Sequence, residues 1–447
     1  VSASLDDPIT INGLEIRNRL YRAPLLECAG EGPDAADLLV EELEPAAASG
    51  VGLICQGASP VRAEGGRVAP NMTSFADREF VLGLRPLTEA IHDRGARIFA
   101  QLDHGGIRSI ETWHAAYREE HPDLRQLAVS PLPRALRLLD SVGALQYDVH
   151  VLSTEDAYDL AADFGRCAEN AVAAGYDGIH LAGANMGIIQ QFLSPYYNRR
   201  TDEFGGGFRE RLRFLELVAT EIRDRVGDDV PLVTKVPAET ASPRFARPRL
   251  SVEDGVRIAR RLEAVGFDAV VPVEASVFWD MSLVRGAYPE RAWTHSRFER
   301  GYDEVFGGPR RARLVSFVHR LHARNHPFEP AWNGSFCDRV RDAVSIPVLA
   351  EGGLRRRSQM DDLLAEGRCD LVGMGRPFYA EPRVAARLLR GDSSGDVRTT
   401  CRNCNNCTVS QVTGAPGVCR TPSVLARTGE LRKRGAYDDP EPAPSEE

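Results

Sequence analysis

The sequence predicts an α/β chain folded as a (β/α)8 TIM barrel with a C-terminal iron–sulfur segment. Three observations carry that expectation. Short Val/Ile/Leu-rich runs alternate with amphipathic stretches eight times between residues 20 and 376. The runs are continuously apolar, the composition of parallel strands covered on both faces. Two glycine turns, Pro347-Val-Leu-Ala-Glu-Gly352-Gly353 and Leu371-Val-Gly-Met-Gly375-Arg376, stand where the seventh and eighth strands of a barrel would end. A doubly wound sheet is the alternative, but its dinucleotide fingerprint is missing after the first strand.

In chain order the expected strands are 20–24, 51–57, 97–102, 178–183, 231–237, 269–273, 347–353 and 371–376. Amphipathic helices are expected at 77–94, 153–174, 208–226, 252–265 and 358–366. Ser153 followed by Glu155, and Ser251 followed by Glu253 and Asp254, are helix-start signatures. Residues 279–332 interrupt the rhythm after the sixth strand and are rich in Arg, His and aromatics. An insertion there is a candidate substrate lid, because barrel chemistry sits at the C-terminal ends of strands. The barrel is assigned to 1–395 and the cluster-binding segment to 396–427. The remainder, 428–447, reads as a disordered acidic tail, since its Pro and acid content cannot fold alone.

With 447 residues, 43% hydrophobic, the chain has the composition of a soluble globular protein. A net charge of −9 argues against nucleic acid as a partner. The longest apolar runs are of strand length, so no membrane span is expected. No signal peptide is read at the N-terminus. Cys28, Cys55, Cys167, Cys337 and Cys369 form an odd, unpatterned remainder that fits reduced thiols in the cytoplasm. Lysine occurs only at 235 and 433. Lys235, inside an apolar run, stands out.

Cys401-Arg-Asn-Cys404-Asn-Asn-Cys407, with Cys419 beyond a Gly/Pro loop, has iron–sulfur spacing: the compact run bends around one corner of a cubane and the loop returns the fourth thiolate. Structural zinc is the competing reading, although its ligands usually come as paired CxxC motifs. At the two glycine turns, Gly352, Gly353 and Gly375 free backbone N–H groups for a phosphate, and Arg376 adds a bidentate charge. One phosphate pocket and no GxGxxG point to FMN rather than FAD.

The chain resembles the old yellow enzyme superfamily, in the branch of 2,4-dienoyl-CoA reductase and trimethylamine dehydrogenase. The resemblance covers roughly residues 6–425. It rests on Arg19-Leu-Tyr-Arg-Ala23-Pro24, on Gln101-Leu-Asp-His104-Gly-Gly and on Gln191-Phe-Leu-Ser-Pro-Tyr-Tyr-Asn-Arg-Arg-Thr-Asp-Glu-Phe-Gly-Gly206, together with the glycine turns and the cysteines. It implies an FMN barrel with a nearby [4Fe–4S] cluster. Ala23 and Pro24 should line the flavin, Gly57 should lie near its reactive edge, and Gln101 should bond its pyrimidine ring. Lys235 holds the place of the cation beside flavin N1 and O2. There a positive charge stabilises the anionic reduced flavin.

Three positions depart from the family pattern. Where relatives carry a histidine pair and then a proton-donating tyrosine, this chain has Ala182, Asn185 and Gly187. His180 lies two residues earlier on the same face. Leu26 replaces a redox-tuning Thr or Cys, and Cys28 is displaced from the position that links flavin covalently in trimethylamine dehydrogenase. Asn185, His180 and Tyr197 are therefore the catalytic candidates near the flavin, with Tyr302 and His295 offered from the insertion.

The resulting expectation is an FMN- and [4Fe–4S]-dependent oxidoreductase that moves a hydride to or from a small substrate. A conventional NAD(P)H-dependent ene reductase with a relocated proton donor is the alternative. A degenerate barrel serving as an electron-transfer subunit is a third reading. The implied partners are a small-molecule substrate and a separate electron-transfer protein, with homo-oligomerisation left open.

Overall fold

Eight parallel strands close into a barrel: β1 (Leu20–Arg22), β2 (Leu53–Pro60), β3 (Arg97–Asp103), β4 (Gly178–Leu181), β5 (Leu232–Glu239), β6 (Ala269–Ala275), β7 (Leu349–Glu351) and β8 (Leu371–Met374). They belong to a computed structural model that describes residues 3–438, apart from 142, 144, 242, 243, 245, 279 and 392–395. Each strand pairs with its sequence neighbour, β8 pairs with β1, and a bridge between Val270 and Val348 joins β6 to β7. The TIM barrel read from the sequence is the fold.

Inward-facing Tyr21, Leu53, Phe99, Val233, Ala269 and Leu349 pack in the barrel centre. Ile11 and Ile16, from an antiparallel hairpin (Ile9–Ile11 with Leu14–Ile16), join that cluster at the strands' N-terminal ends. Outside the strands, Leu160, Phe164, Leu215, Val218 and Ile258 bury the apolar faces of the helices. Full burial of one such side chain contributes roughly 1.5–3 kcal/mol. Ser153 and Ser251 each close a capping box, at the starts of the helices Thr154–Ala173 and Val252–Ala264. Both helices begin where the sequence placed them.

Two expectations are corrected. The single helix at 77–94 is two, Arg78–Leu82 and Arg85–His92, because Gly83 interrupts the pattern and Pro86 cannot donate to a preceding turn. The tail is ordered past residue 427. The helix Pro422–Lys433 runs through it, and Tyr437 is buried with its hydroxyl 2.9 Å from Glu381 Oε1. Apolar Val424 and Leu431 give that helix a face to bury; residues 439–447 lie outside the described part. The insertion, finally, contains the helices Glu290–Trp293, Ser296–Phe306 and Pro309–Ala323. Its apolar residues Ala292, Phe298, Tyr302 and Ala312 pack with Val409 of the cysteine segment. The insertion is thus anchored to that segment.

Candidate active site and cysteine pocket

Two buried polar chains cross the C-terminal mouth of the barrel. Tyr21 donates its hydroxyl to Glu351 Oε1 at 2.9 Å, and Lys235 Nζ donates to Glu351 Oε2 at 2.8 Å. One carboxylate therefore ties β1, β5 and β7 together. Burial, and then Glu351, push the Tyr21 phenol far above its ordinary range, so it remains a donor. In the second chain Gln101 Oε1 accepts the Ala58 N–H at 3.2 Å, while Gln101 Nε2 meets His180 Nδ1 at 3.1 Å. If the amide donates there, the imidazole proton sits on Nε2, an atom buried without a partner among the described residues. Burial first and Lys235 second hold His180 well below its usual range, so the ring is neutral.

The chain leaving β1 crosses tightly over β2. Ala23 N–H donates to the Met374 carbonyl at 2.9 Å, with Pro24 following it. A Cβ built on Gly57 would stand 1.5 Å from the Leu25 carbonyl oxygen, so only glycine permits the crossing. Gly57 N–H donates to Glu27 Oε2 at 3.0 Å, which directs it into the protein. Arg22 is held by Glu27 and Glu42, each at 2.8 Å. Burial raises both carboxyls, Glu42 to about 8. Cys28 is pushed up to about 12, by burial and then by Glu27 and Glu42, which leaves it a poor nucleophile.

Beyond β4 the backbone is strained. Asn185 (φ +74°) and Met186 (φ +62°) are both left-handed, a region that side-chain-bearing residues occupy only when their surroundings enforce it. Arg108 donates to the Asn185 carbonyl, and Gln190 and Gln191 bond the Met186 backbone at 2.7 Å each. Asn185 Oδ1 is buried with no partner among the described residues. A Cβ on Gly187 would stand 2.5 Å from Asp103 Oδ1. Asp103, the last residue of β3, thus fills the space that a tyrosine at 187 would need. Its Oδ1 accepts the His104 N–H at 2.8 Å. Burial pushes its carboxyl up to about 6, against the opposing charges of Arg108 and Lys235.

The remaining catalytic candidates are engaged elsewhere. Tyr197 donates to the Val277 carbonyl. Tyr302 donates to the Ala292 carbonyl at 3.0 Å, inside the core that the insertion shares with the cysteine segment. His295 caps the helix Ser296–Phe306, accepting from Arg297 N–H at 3.2 Å. Neither Tyr302 nor His295 is brought to the barrel mouth. A cleft of about 830 Å³ does open below the insertion, lined by Arg67, Tyr117, His121 and Glu304, but Tyr302 and His295 do not line it.

At the ends of β7 and β8, Gly352 (φ +102°) and Gly353 (φ +75°) turn left-handed against Trp332. A Cβ on Gly352 would stand 2.6 Å from the indole, and one on Gly353 would stand 2.3 Å from the Glu329 carbonyl oxygen. Gly375 opens the short helix Arg376–Ala380. Arg376 donates to Asn405 Oδ1 and, at 2.9 Å, to the Arg285 carbonyl. Arg355 likewise donates to Asn403 Oδ1 at 2.7 Å. Arg376 thus also braces the cysteine segment, which lies directly on this side of the barrel. Thr399 N–H reaches the Arg355 carbonyl at 2.9 Å, and Cys419 N–H reaches that of Tyr379 at 3.2 Å.

Cys401, Cys404, Cys407 and Cys419 all line one cavity, together with Arg376, Tyr379 and Thr421. All four are free thiols. Asn403 (φ +56°) and Asn405 (φ +57°) turn left-handed between them and curl the loop around the cavity. Burial raises Cys407 to about 12, so it would ionise only where a metal takes the proton's place. Among the described residues no three His, Cys, Asp or Glu side chains converge to hold a single ion.

The mouth also has residues that fit a flavin. His180 Nε2, Asn185 Oδ1 and Trp332 Nε1 are buried polar atoms in want of partners. The Gln101 amide keeps one further donor and one acceptor position, and Lys235 two further N–H groups. Sequence reasoning missed Glu351 and Asp103. A lone acid in an apolar strand run, matched by a lone lysine in another, was the signal for the first.

Residues 4–288 match the model of the NADH:flavin oxidoreductase / NADH oxidase family. The NADH oxidase of Thermoanaerobacter brockii is 27% identical over 427 residues, covering 91% of this chain and 56% of that one. The 4,4′-dithiodibutanoate disulfide reductase of Rhodococcus erythropolis is 26% identical over 431 residues, covering 96% and 98%. A solved 2-naphthoyl-CoA reductase superposes with a TM-score of 0.70 at 20% identity, over 97% of this chain and 58% of that one, and shares the fold. The chain spans about half the length of the first curated relatives it matches. Among the described residues no helix is long and apolar enough to cross a membrane.

Proposed function

The chain belongs to the NADH:flavin oxidoreductase / NADH oxidase family, the flavin-dependent old yellow enzyme group, and from that premise we propose an FMN- and [4Fe–4S]-dependent oxidoreductase that moves a hydride to or from a small substrate. The observation that carries the reading is the meeting of Cys401, Cys404, Cys407 and Cys419 in one cavity against Arg376, on the same side of the barrel as the two glycine turns.

In this reading Gly352 and Gly353 present backbone N–H groups to the FMN phosphate. Gln101 orients the pyrimidine ring, and Lys235, with Glu351 behind it, sets the charge beside N1 and O2. The flavin supplies hydride chemistry at N5 when bound. His180, held neutral, can offer its Nε2–H as a donor without carrying charge. The left-handed turn at Asn185 and Met186 aims a carbonyl-type acceptor, Asn185 Oδ1, from the β4 end. Cys404 and Cys419 are only partly buried, so a cluster there lies close enough to the surface to pass electrons to a separate electron-transfer protein.

Anaerobic purification with iron, sulfide and flavin analysis tests the reading. The expected result is about four irons and four sulfides per chain, with FMN released by acid. Stoichiometric zinc without sulfide would overturn the cluster, and FAD, or flavin left on the precipitated protein, would overturn the cofactor assignment.

A further inference from the structure

Gly187 supplies no acid at the mouth, but Asp103 stands beside it. We propose that Asp103 is the group that gives and takes the proton accompanying hydride transfer in this site. The inference rests on the proposed flavin chemistry and assigns its proton.

The geometry comes from three directions. Asp103 is two residues beyond Gln101 on β3, so period two places it on the same inward face, one step nearer the mouth. Opposite it, Gly187 has no side chain, and a Cβ there would stand 2.5 Å from Asp103 Oδ1. The missing side chain and the carboxyl are thus two parts of one arrangement, since the carboxyl occupies the space that the side chain vacates. One oxygen, Oδ1, accepts the His104 N–H. The other has no hydrogen bond to a described residue, and Asp103 keeps 4% exposure.

The charges facing Asp103 are Arg108 from the loop beyond β3 and Lys235 from β5. Arg108 is also the residue that holds the strained Asn185 carbonyl, so the acid and the bent β4 loop share one support. Burial keeps the carboxyl half-protonated near pH 6, where an ordinary aspartate would have lost its proton. A group that changes charge near the working pH suits proton transfer in either direction.

The step balances. In the reducing direction the β carbon of an unsaturated acceptor would take one hydrogen with its electron pair, which a bound flavin would supply from NADH. The C=C π pair forms a bond at the α carbon to the proton leaving Asp103. The resulting carboxylate is reprotonated by water. In the oxidising direction the same carboxylate accepts the substrate's proton while the hydride leaves to the cofactor.

Three proteins test this: the unmodified chain, Asp103→Asn and Asp103→Glu, each with FMN bound. Flavin reduction by NADH needs no acid from the mouth and should change less than threefold. Anaerobic reoxidation of the reduced flavin by 2-cyclohexenone should slow by 10²-fold or more in Asp103→Asn, as expected for a lost general acid, and recover in part in Asp103→Glu. Reoxidation by the unmodified enzyme should fall as pH rises through about 6, and Asp103→Asn should lose that limb. An unchanged reoxidation rate with the pH limb retained would overturn the proposal, as would no reoxidation by the unmodified enzyme at any pH. If the protein takes up no FMN, the proposed function fails instead. Infrared titration of the apoprotein then decides the role of Asp103 alone. A carboxyl band with a midpoint near 6 that Asp103→Asn abolishes supports it, and the absence of such a band overturns it.

Discussion

A lysine and a glutamate 2.8 Å apart and nearly buried cancel much of each other's field. Lys235 therefore acts on a flavin only to the extent that Glu351 leaves it uncompensated, and the two residues should be tuned against each other. Two unit charges 4 Å apart at an effective dielectric of about 20 interact by about 4 kcal/mol, enough for either partner to move a reduction potential. Lys235→Met should lower the bound flavin's potential and slow its reduction by about one to two powers of ten. Glu351→Gln should shift the potential the other way, and the double variant should return toward the unmodified value, because the two side chains are in contact. Spectroelectrochemical titration of the three variants measures this. Equal potentials throughout would place the pair away from the ring.

Among the elements, the C-terminal segment bears most on function, since it braces the barrel with its asparagines while holding the thiols. Asn403 and Asn405 bind Arg355 and Arg376, Asn406 binds the Ala292 N–H of the insertion at 3.2 Å, and Cys404 lies 3.0 Å from Thr421 Oγ1. Metal binding and local folding are coupled in such a segment. Cys404→Ser should lose the iron and expose the amides of 396–433 to hydrogen exchange, while the strands of the barrel stay protected. Loss of iron with unchanged exchange in that segment would show the segment to be held by its asparagines alone.

For the whole molecule, several buried carboxyls share one direction of shift, and this sets how stability follows pH. Burial raises Glu42 to about 8, Glu239 to about 7 and Asp103 to about 6. Each raised group binds its proton more tightly folded than unfolded. Its contribution is complete below the unfolded value near 4 and is lost as pH rises through the folded one. Buried His104, His114, His180 and His319 are shifted down and oppose this trend below their unfolded value near 6.5. The melting temperature should therefore fall from about pH 6.5 to about pH 8, and Glu42→Gln should flatten that slope. Calorimetry across this range checks it, and a melting temperature that rises with pH would contradict the assigned directions.

The eight-strand barrel was legible in the sequence because parallel strands buried on both faces are continuously apolar, and because caps such as Ser153 and Ser251 signal helix starts locally. The cysteine quartet was legible for a similar reason: its spacing is a local property. Lys235 stood out as the one lysine within an apolar run. What tertiary structure decided were the meetings between elements. Glu351 comes from β7 to neutralise Lys235 of β5, and Asp103 of β3 fills the space left by Gly187 beyond β4. Arg376 turns to Asn405, and Tyr302 is enclosed within the insertion. None of these has a sequence period or a spacing, since each joins residues whose separation is set by the closure of the barrel. A side chain's neighbour across that closure is fixed by packing and charge, which no stretch of local sequence encodes.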